Sequence, residues 1–381
     1  MSEMGAGPEP VEPFQGAAGE APLDAWPSEP KGNGSSTNGN GADGNGNGKR
    51  PSRRSRQRTV TTTTATPAIS FREYLQYREL FHNLTLRELR SKYKRSVIGW
   101  GWSMINPIAN MLIYTVVFSL LLQIQPPFGV PSGLHNYAIM LLAAMLPWNF
   151  FQGSIMESMG AILGNQNLIQ KTYFPRELIP GATVASKVVS HLIEMSLLLV
   201  AVVCFGNWRA PLFIPGVLIT MAIVMIFALG LSLLFSIGNV FYRDIQHFSN
   251  ILFFIWMFLT PVAYPYYIVG GGINSPTGSL APARYIHLLG HAINLGTLFK
   301  LNPMTDAVLT FQSFLYDGAL PGSTHVYAFA STIPGHAATL TTVTSNVSWF
   351  DFMYLVVWAV AAFAVGLHVF RKYEARLPEE L

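Results

Sequence analysis

Charge is scarce in this chain. Lys, Arg, Asp and Glu make up 12% of its 381 residues, about half the share in a typical soluble domain. None of the four occurs between Ser96 and Met156. So long an uncharged run argues against a set of soluble domains, because lipid must cover it. Cysteine is scarcer still. Cys204 alone excludes an intramolecular disulfide framework and a multi-cysteine metal site, and its apolar surroundings predict a packing role. No G-x-x-x-x-G-K-[ST] phosphate loop is present: the nearest imitation, Gly44 to Arg50, has Arg50 after Lys49. ATP chemistry therefore has no site here. An N-terminal apolar h-region is also missing, which argues against a secretory signal peptide. His191-Leu-Ile-Glu194 lacks the second histidine of H-E-x-x-H spacing, so no metal site is expected. No His, Asp or Glu cluster supports a catalytic centre.

What the sequence has instead is hydropathy in blocks, with a mean of +0.33. Residues 1–66 are rich in Gly, Asn, Ser, Pro and Glu and cannot bury enough apolar surface to offset ordering, which predicts a disordered tail. Its basic block Lys49 to Arg58 suits either lipid headgroups or a solvated linker. Over 67–97, Ser70 and Glu73 form a capping box, and Phe71, Tyr74, Leu75, Phe81 and Leu84 recur at helical spacing among Arg and Lys. That predicts an amphipathic helix at a membrane interface, with a possible restart at Thr85 to Glu88.

About 20 apolar residues span a hydrocarbon core of ~30 Å. By that length, 98–381 contains six spans: 98–124, 136–163, 181–205, 212–238, 246–267 and 351–370. Pro107, Pro147 and Pro261 predict kinks. The basic residues assign the sides. Arg72, Arg78, Arg87, Arg90, Lys92, Lys94, Arg95, Lys171, Arg176, Arg243, Arg371, Lys372 and Arg376 fall on one side, against Arg209, Arg284 and Lys300 on the other. The expected fold is an all-α polytopic membrane protein with both termini in the cytoplasm. It has one long outer loop, 268–350, predicted to hold two helices broken at Asn302-Pro303 and an irregular stretch after Gly318. The basic pI of 9.1 then reflects orientation, and no nucleic-acid partner is expected.

Ionisable residues inside spans call for a functional hypothesis. Lys187, His191 and Glu194 share one face of the third span, and Glu157 in the second lies at the depth of Lys187. A Glu157 and Lys187 pair is predicted within a buried network. The same stripe leaves a proton relay open, and with it a proton-coupled secondary transporter. An integral-membrane enzyme acting on polyprenyl lipids is a third, weaker alternative.

Several segments in order, LRELRSKYKRSVIGWGWSMINP, LPWNFF, NQNLIQKTYFPRELIP, NVFYRDIQH, LTPVAYP and LNPMTDAV, resemble the membrane subunit of ABC type 2 exporters. Those exporters move lipid-linked polysaccharides such as O-antigen, capsule and teichoic acid. The similarity covers about residues 70–317 and the sixth span. It implies a homodimer in the bacterial cytoplasmic membrane, joined to two copies of a separate ATPase that holds ATP and Mg, with a polyprenyl-linked glycan as cargo. An ABC-2 exporter of another lipid or a drug is the nearest variant. The chain departs from the family in a longer outer loop and in Gln312, where members often carry Arg.

The resemblance gives the remaining candidates their roles. Lys171, Tyr173, Phe174, Pro175, Arg176 and Glu177 form an ATPase-coupling loop, stiffened by its prolines. Taken without the resemblance, the same loop is equally an ordinary positive-inside connection. Arg243 and Asp244 make a second cytoplasmic turn that either meets the ATPase or pairs with the interface helix. Arg87, Arg90, Lys92, Lys94 and Arg95 face lipid headgroups or a substrate pyrophosphate. Tyr114, Phe118, Phe254 and Phe258 are channel-lining candidates, since aromatic faces stack on sugar rings. No cofactor is expected on this chain.

Overall fold

The computed structural model describes residues 77–380 apart from 95, 97, 100, 173, 272–283, 289–290 and 330–338. The tail 1–66, the capping box Ser70 to Glu73, and the candidates Tyr173 and Arg95 lie outside the described residues. Helix α1 spans Arg78–Tyr93. Glu79 in its first turn and Arg90 and Lys92 in its last suit the helix dipole. Leu84 and Leu89 are buried. The expected restart at Thr85 does not occur: its hydroxyl donates to the Phe81 carbonyl at 2.8 Å instead of accepting from a new first turn.

Among the described residues five helices are long and apolar enough to cross a membrane. Helix α2 (Gly101–Tyr114) continues as a π-helical stretch, Thr115–Leu121, and exposes most of its side chains. Helix α3 (Tyr137–Gly164) is the central one, started by Asn136, whose side chain accepts from the Ile139 N–H. A short α4 (Gln166–Lys171) leads to α5 (Leu178–Cys204). A 3₁₀ turn, Ala210–Phe213, then opens α6 (Ile214–Phe241). The last long helix, α11, is Trp349–Tyr373, set by a full capping box between Ser348 and Asp351. Pro107 and Pro147 both sit inside helices that continue past them.

Helix α3 packs against α5 and α6, and α6 against α11. Without a hydrophobic drive between helices in lipid, close backbone approach has to supply the adhesion. Gly230 and Gly366 provide it: a Cβ at Gly366 would stand 2.1 Å from the Gly230 carbonyl oxygen. Where α3 meets α6, Phe151 stacks on Phe227 at 5.1 Å, and it also meets Trp256 edge-on at 5.3 Å. Trp148, Phe150, Phe151 and Phe253 are fully buried there.

The segment expected as the fifth span is different. Helix α7 covers only Ile245–Phe258, about 21 Å at 1.5 Å per residue, and turns follow to a one-turn α8, Tyr267–Gly270. Pro261 explains the stop, because it has no N–H for the helix and disfavours helical backbone before it. Thr260 satisfies one freed carbonyl by donating to Trp256 O at 3.0 Å.

Past α8, the first of the two expected outer helices is mostly an antiparallel hairpin, β1 (Tyr285–Leu288) with β2 (His291–Asn294), Tyr285 facing Asn294. The alternating, β-branched and aromatic composition of YIHL and HAIN favours strands over helix. Asn294 then caps the short α9, Leu295–Lys300. The break at Asn302-Pro303 stands as expected: Asn302 caps α10, Pro303–Gln312, through the Met304 N–H, and Ser313–Asp317 extends it. The stretch after Gly318 is extended, as β3 (Thr324–Phe329) pairs with β4 (Thr339–Thr344). Residues 374–376 and the short α12, Leu377–Glu380, close the chain. Cys204, expected to pack, is exposed at the end of α5.

Candidate functional site

Between α2, α3, α5 and α7 lies a cavity of about 570 Å³. Helical spacing builds its wall. Asn149, Gln152, Gly153, Met156 and Glu157 repeat along one face of α3, and Lys187, Ser190 and Glu194 along one face of α5. Helix α2 supplies Trp102, Ser103, Asn106 and Asn110, and α7 supplies Asn250. The cavity is thus lined by carboxamides inside an otherwise apolar bundle. Gln152 is oriented by the Trp148 indole, whose N–H donates to its side-chain oxygen at 3.0 Å.

Glu157 sits at the end of this cavity nearest α1. Its carboxylate accepts from Lys92 of α1 at 2.5 Å and from Lys187 of α5 at 3.1 Å. Lys92 also reaches Ser186 at 3.2 Å. Three elements are therefore tied by one carboxylate. With Glu194 the cavity carries two lysines and two glutamates, so its formal charge balances. His191 does not line it. The imidazole is fully buried against the Phe150 ring at 5.0 Å, and its Nδ1 is 3.7 Å from Glu194 Oε2, beyond hydrogen-bond reach.

The other predicted residues divide. Arg87 donates to the Asn165 side chain and touches Glu88 at 3.3 Å, while Arg90 and Lys94 are exposed. In the predicted coupling loop, α4 makes part of the stretch helical, and Lys171 is exposed together with its neighbour Thr172. Phe174 and Pro175 are buried beneath α1 and α5, so the anchor expected to face a partner is part of this chain's own core. Arg176 donates to the Glu374 carbonyl, and Glu177 pairs with Arg371 at 3.4 Å. Arg243 and Asp244 are exposed, and no ion pair joins them to α1 among the described residues. Tyr114 lies 5.9 Å from Phe118, and Phe254 lies 5.2 Å from Phe258. Neither pair lines the cavity; Phe254 and Phe258 are on the exposed face of α7.

A second polar cluster, missed in the sequence, occupies the opposite end of the bundle. Lys300 pairs with Asp351 at 2.6 Å and stands 5.9 Å from the centre of the Tyr266 ring. Asn302 accepts from the Trp256 indole at 2.8 Å and donates to Thr260 at 2.8 Å. Asp306 is fully buried and neither carboxyl oxygen has a hydrogen-bond partner. Burial, reinforced by Asp351, pushes its carboxyl up to about 8 against the pull of Lys300. The Tyr266 phenol is pushed up to about 12, again chiefly by burial.

The matched family settles what kind of protein builds this arrangement. Residues 79–274, more than half of the chain, match the family model described as ABC-2 type transporter. The chain belongs to the ABC-2 type transporter family. It is 28% identical over 263 residues to an O-antigen export system permease protein of Myxococcus xanthus, covering 68% of this chain and 89% of that one. A protein of the same description from Klebsiella pneumoniae is 25% identical, with 62% and 80% covered. The polysialic acid transport protein of Escherichia coli is 23% identical, with 48% and 68% covered. The match ends at residue 274, so this ABC-2 chain's hairpins and the Lys300 and Asp351 cluster fall outside it, while α1, the cavity helices and the 165–177 connection fall inside.

Two predictions follow from the charges. Glu157→Gln leaves two lysines unpaired and should lower the melting temperature of the detergent-solubilised protein. Adding Lys187→Met should restore part of the loss, and adding Lys92→Met as well should restore most of the remainder; equal loss in all three variants would contradict the bridge. For Asp306, the folded-state value lies above the roughly 3.9 of a free Asp. Its neutral form therefore favours folding below about pH 4, and that contribution is lost as pH rises towards 8. Melting temperature should fall between pH 5 and pH 8 in the parent and stay flatter in Asp306→Asn.

Proposed function

We propose that this chain is the permease subunit of an ATP-driven exporter of a lipid-linked cell-surface polysaccharide or teichoic-acid-like polymer. The observation that carries the reading is the carboxamide wall of the cavity, supported by the export and transport functions named for the relatives. A charge-balanced cavity offers little to a permeating ion. Side-chain amides, each with donors and an acceptor, suit a chain of sugar hydroxyls. Such contacts are worth about 1 kcal/mol each net, weak enough to be exchanged from one sugar to the next. Trp102 adds a ring on which a sugar face can rest.

The energy for movement comes, in this reading, from a separate ABC ATPase that binds ATP and Mg, with two copies serving a permease homodimer. The positive-inside count supports placing the basic end, with α1, α4 and both termini, in the cytoplasm of a bacterial inner membrane. The 165–177 connection is then the face offered to the ATPase. Its exposed residues include Gln166, Asn167, Gln170, Lys171 and Thr172, of which Lys171 carries the charge. Phe174, Arg176 and Glu177 instead hold it to α5 and to the end of α11, so that a push on α4 is carried into two long helices.

Reconstitution tests this. Proteoliposomes holding the permease, its cognate ATPase and a polyprenyl-linked glycan should export on ATP addition, and Asn106→Ala with Asn110→Ala should lower export about thirtyfold, as two lost hydrogen bonds predict. Export that persists without the ATPase and collapses with the proton gradient would overturn the reading in favour of a proton-coupled transporter. Lys171→Glu should cut glycan-stimulated ATP hydrolysis while leaving the melting temperature unchanged. Full stimulation in that variant would remove α4 from the docking face. Phe174→Ala is unsuited to this purpose, since emptying a buried aromatic site costs about 3–5 kcal/mol of stability by itself.

A further inference from the structure

A second cavity, of about 620 Å³, lies on the other side of the bundle from the carboxamide wall, bounded by α1, α5, α6 and α11. Its walls are apolar, with Phe81, Leu229, Leu233, Phe363 and Leu367. Its floor on α5 is shallow in side chain, with Gly181 and Ala185. From Phe363 to Arg371 the groove follows α11 for eight residues, about 12 Å at 1.5 Å per residue. One leaflet of the hydrocarbon core is about 15 Å thick. The groove therefore has the length for most of one leaflet's depth and opens at the basic end.

That opening is polar on one side only. Arg78, Glu177 and Arg371 are its charged lining residues. Glu177 is buried and pairs with Arg371 at 3.4 Å. Arg78 is exposed, with no ion pair among the described residues. Counting Arg176 and Glu374 beside the Arg371 and Glu177 pair, three guanidinium groups stand against two carboxylates, which leaves a single positive charge above an apolar slot. Guanidinium forks match phosphate oxygens in geometry as well as charge.

We infer that this groove binds an anionic phospholipid of the leaflet at the basic end, its phosphate between Arg78 and Arg371 and one acyl chain laid along α5, α6 and α11. The consequence is local to the coupling route. Arg371 and Glu177 form the clasp between the 165–177 connection and α11, so the lipid phosphate would lie against the clasp and balance the charge that Arg78 adds beside it. The inference rests on the chain lying in a membrane and not on its cargo. Its failure would leave the exporter reading standing, and failed glycan export would leave the groove intact.

The test is a lipid titration on the delipidated full-length protein in detergent, read as melting temperature against added phosphatidylglycerol or phosphatidylcholine. Phosphatidylglycerol should give a saturable rise, and phosphatidylcholine little. Arg78→Gln should raise the half-saturating phosphatidylglycerol concentration about fivefold, the usual weight of one basic residue at an anionic surface. Ala185→Phe, which fills the floor, should abolish the saturable rise. Leu367→Trp closes the groove from α11 and serves the same end if Ala185→Phe does not fold. Equal responses to the two lipids, or unchanged phosphatidylglycerol curves in Arg78→Gln and in the filled variants, would overturn the inference. Undecaprenyl phosphate that displaces phosphatidylglycerol at far lower concentration, and whose binding alone responds to these variants, would overturn the choice of occupant.

Discussion

A carboxylate held between two ammonium groups, within an apolar bundle, is the constraint on which the basic half of the structure depends. Each of these charges is expensive away from bulk water, and the cost is met only when the partners are close. Glu157 meets it for two lysines at once. Lys187 comes from a long helix, but Lys92 comes from the interface helix α1, so the bridge fixes α1 against α3 and α5. Arg87, one turn earlier, adds a hydrogen bond to Asn165 where α3 ends. A helix that amphipathicity alone would leave free to float on a lipid surface is thereby registered to the bundle. The end of the carboxamide cavity is shaped by the same contact.

Away from that bridge, adhesion comes from shape. The Gly230 and Gly366 crossing admits no Cβ, and α6 and α11 pack there as closely as backbones allow. One turn away on α6, Phe227 takes part in an aromatic cluster with Phe151, Phe253 and Trp256. Helix α6 is thus held by a glycine crossing and by large rings on adjoining faces. Helix α2 and the outer face of α7 share little of this packing, with Leu112, Ile113, Leu120, Phe254 and Phe258 exposed. These surfaces are left for lipid or for a second copy of the chain, which the homodimer reading would place there.

Much of this was legible in residue order, and the failures have physical reasons. Blocks of apolar residues marked α2, α3, α5, α6 and α11, because length in a bilayer is set by a simple distance. By that same ruler Glu157 and Lys187 lie at one depth, and the two side chains stand 3.1 Å apart. Lys92 was assigned to headgroups because its position before the first span says nothing of which way α1 rolls; packing of Leu84 and Leu89 decides that. The carboxamides went unnoticed for a different reason. Asn106 and Asn110, or Asn149 and Gln152, are neutral, so a search for charge passes over them although they repeat at helical spacing. Residue type alone does not assign the aromatic candidates, since Phe254 and Phe258 on the exposed face of α7 are as well suited to lipid as to sugar. Asp306 and Lys300 were hidden in a loop whose hairpin and short helices come from long-range contacts that periodicity does not encode.

The linking segment between α3 and α5 shows how the two halves of the argument meet. A segment that is to transmit motion must not absorb it, and absorption is what a loosely tethered loop does. Here the tethers are of three physical kinds. Phe174 is buried, Arg176 donates to the carbonyl of Glu374, and Glu177 pairs with Arg371. Displacing α4 by any distance must therefore either break a buried contact or carry α5 and α11 with it. Carrying them keeps the tethers intact, whereas emptying one aromatic site alone costs about 3–5 kcal/mol. Helix α5 also bears Lys187, so in the proposed exporter a motion entering through α4 would reach the Glu157 bridge, and with it the mouth of the carboxamide cavity, through a single continuous helix.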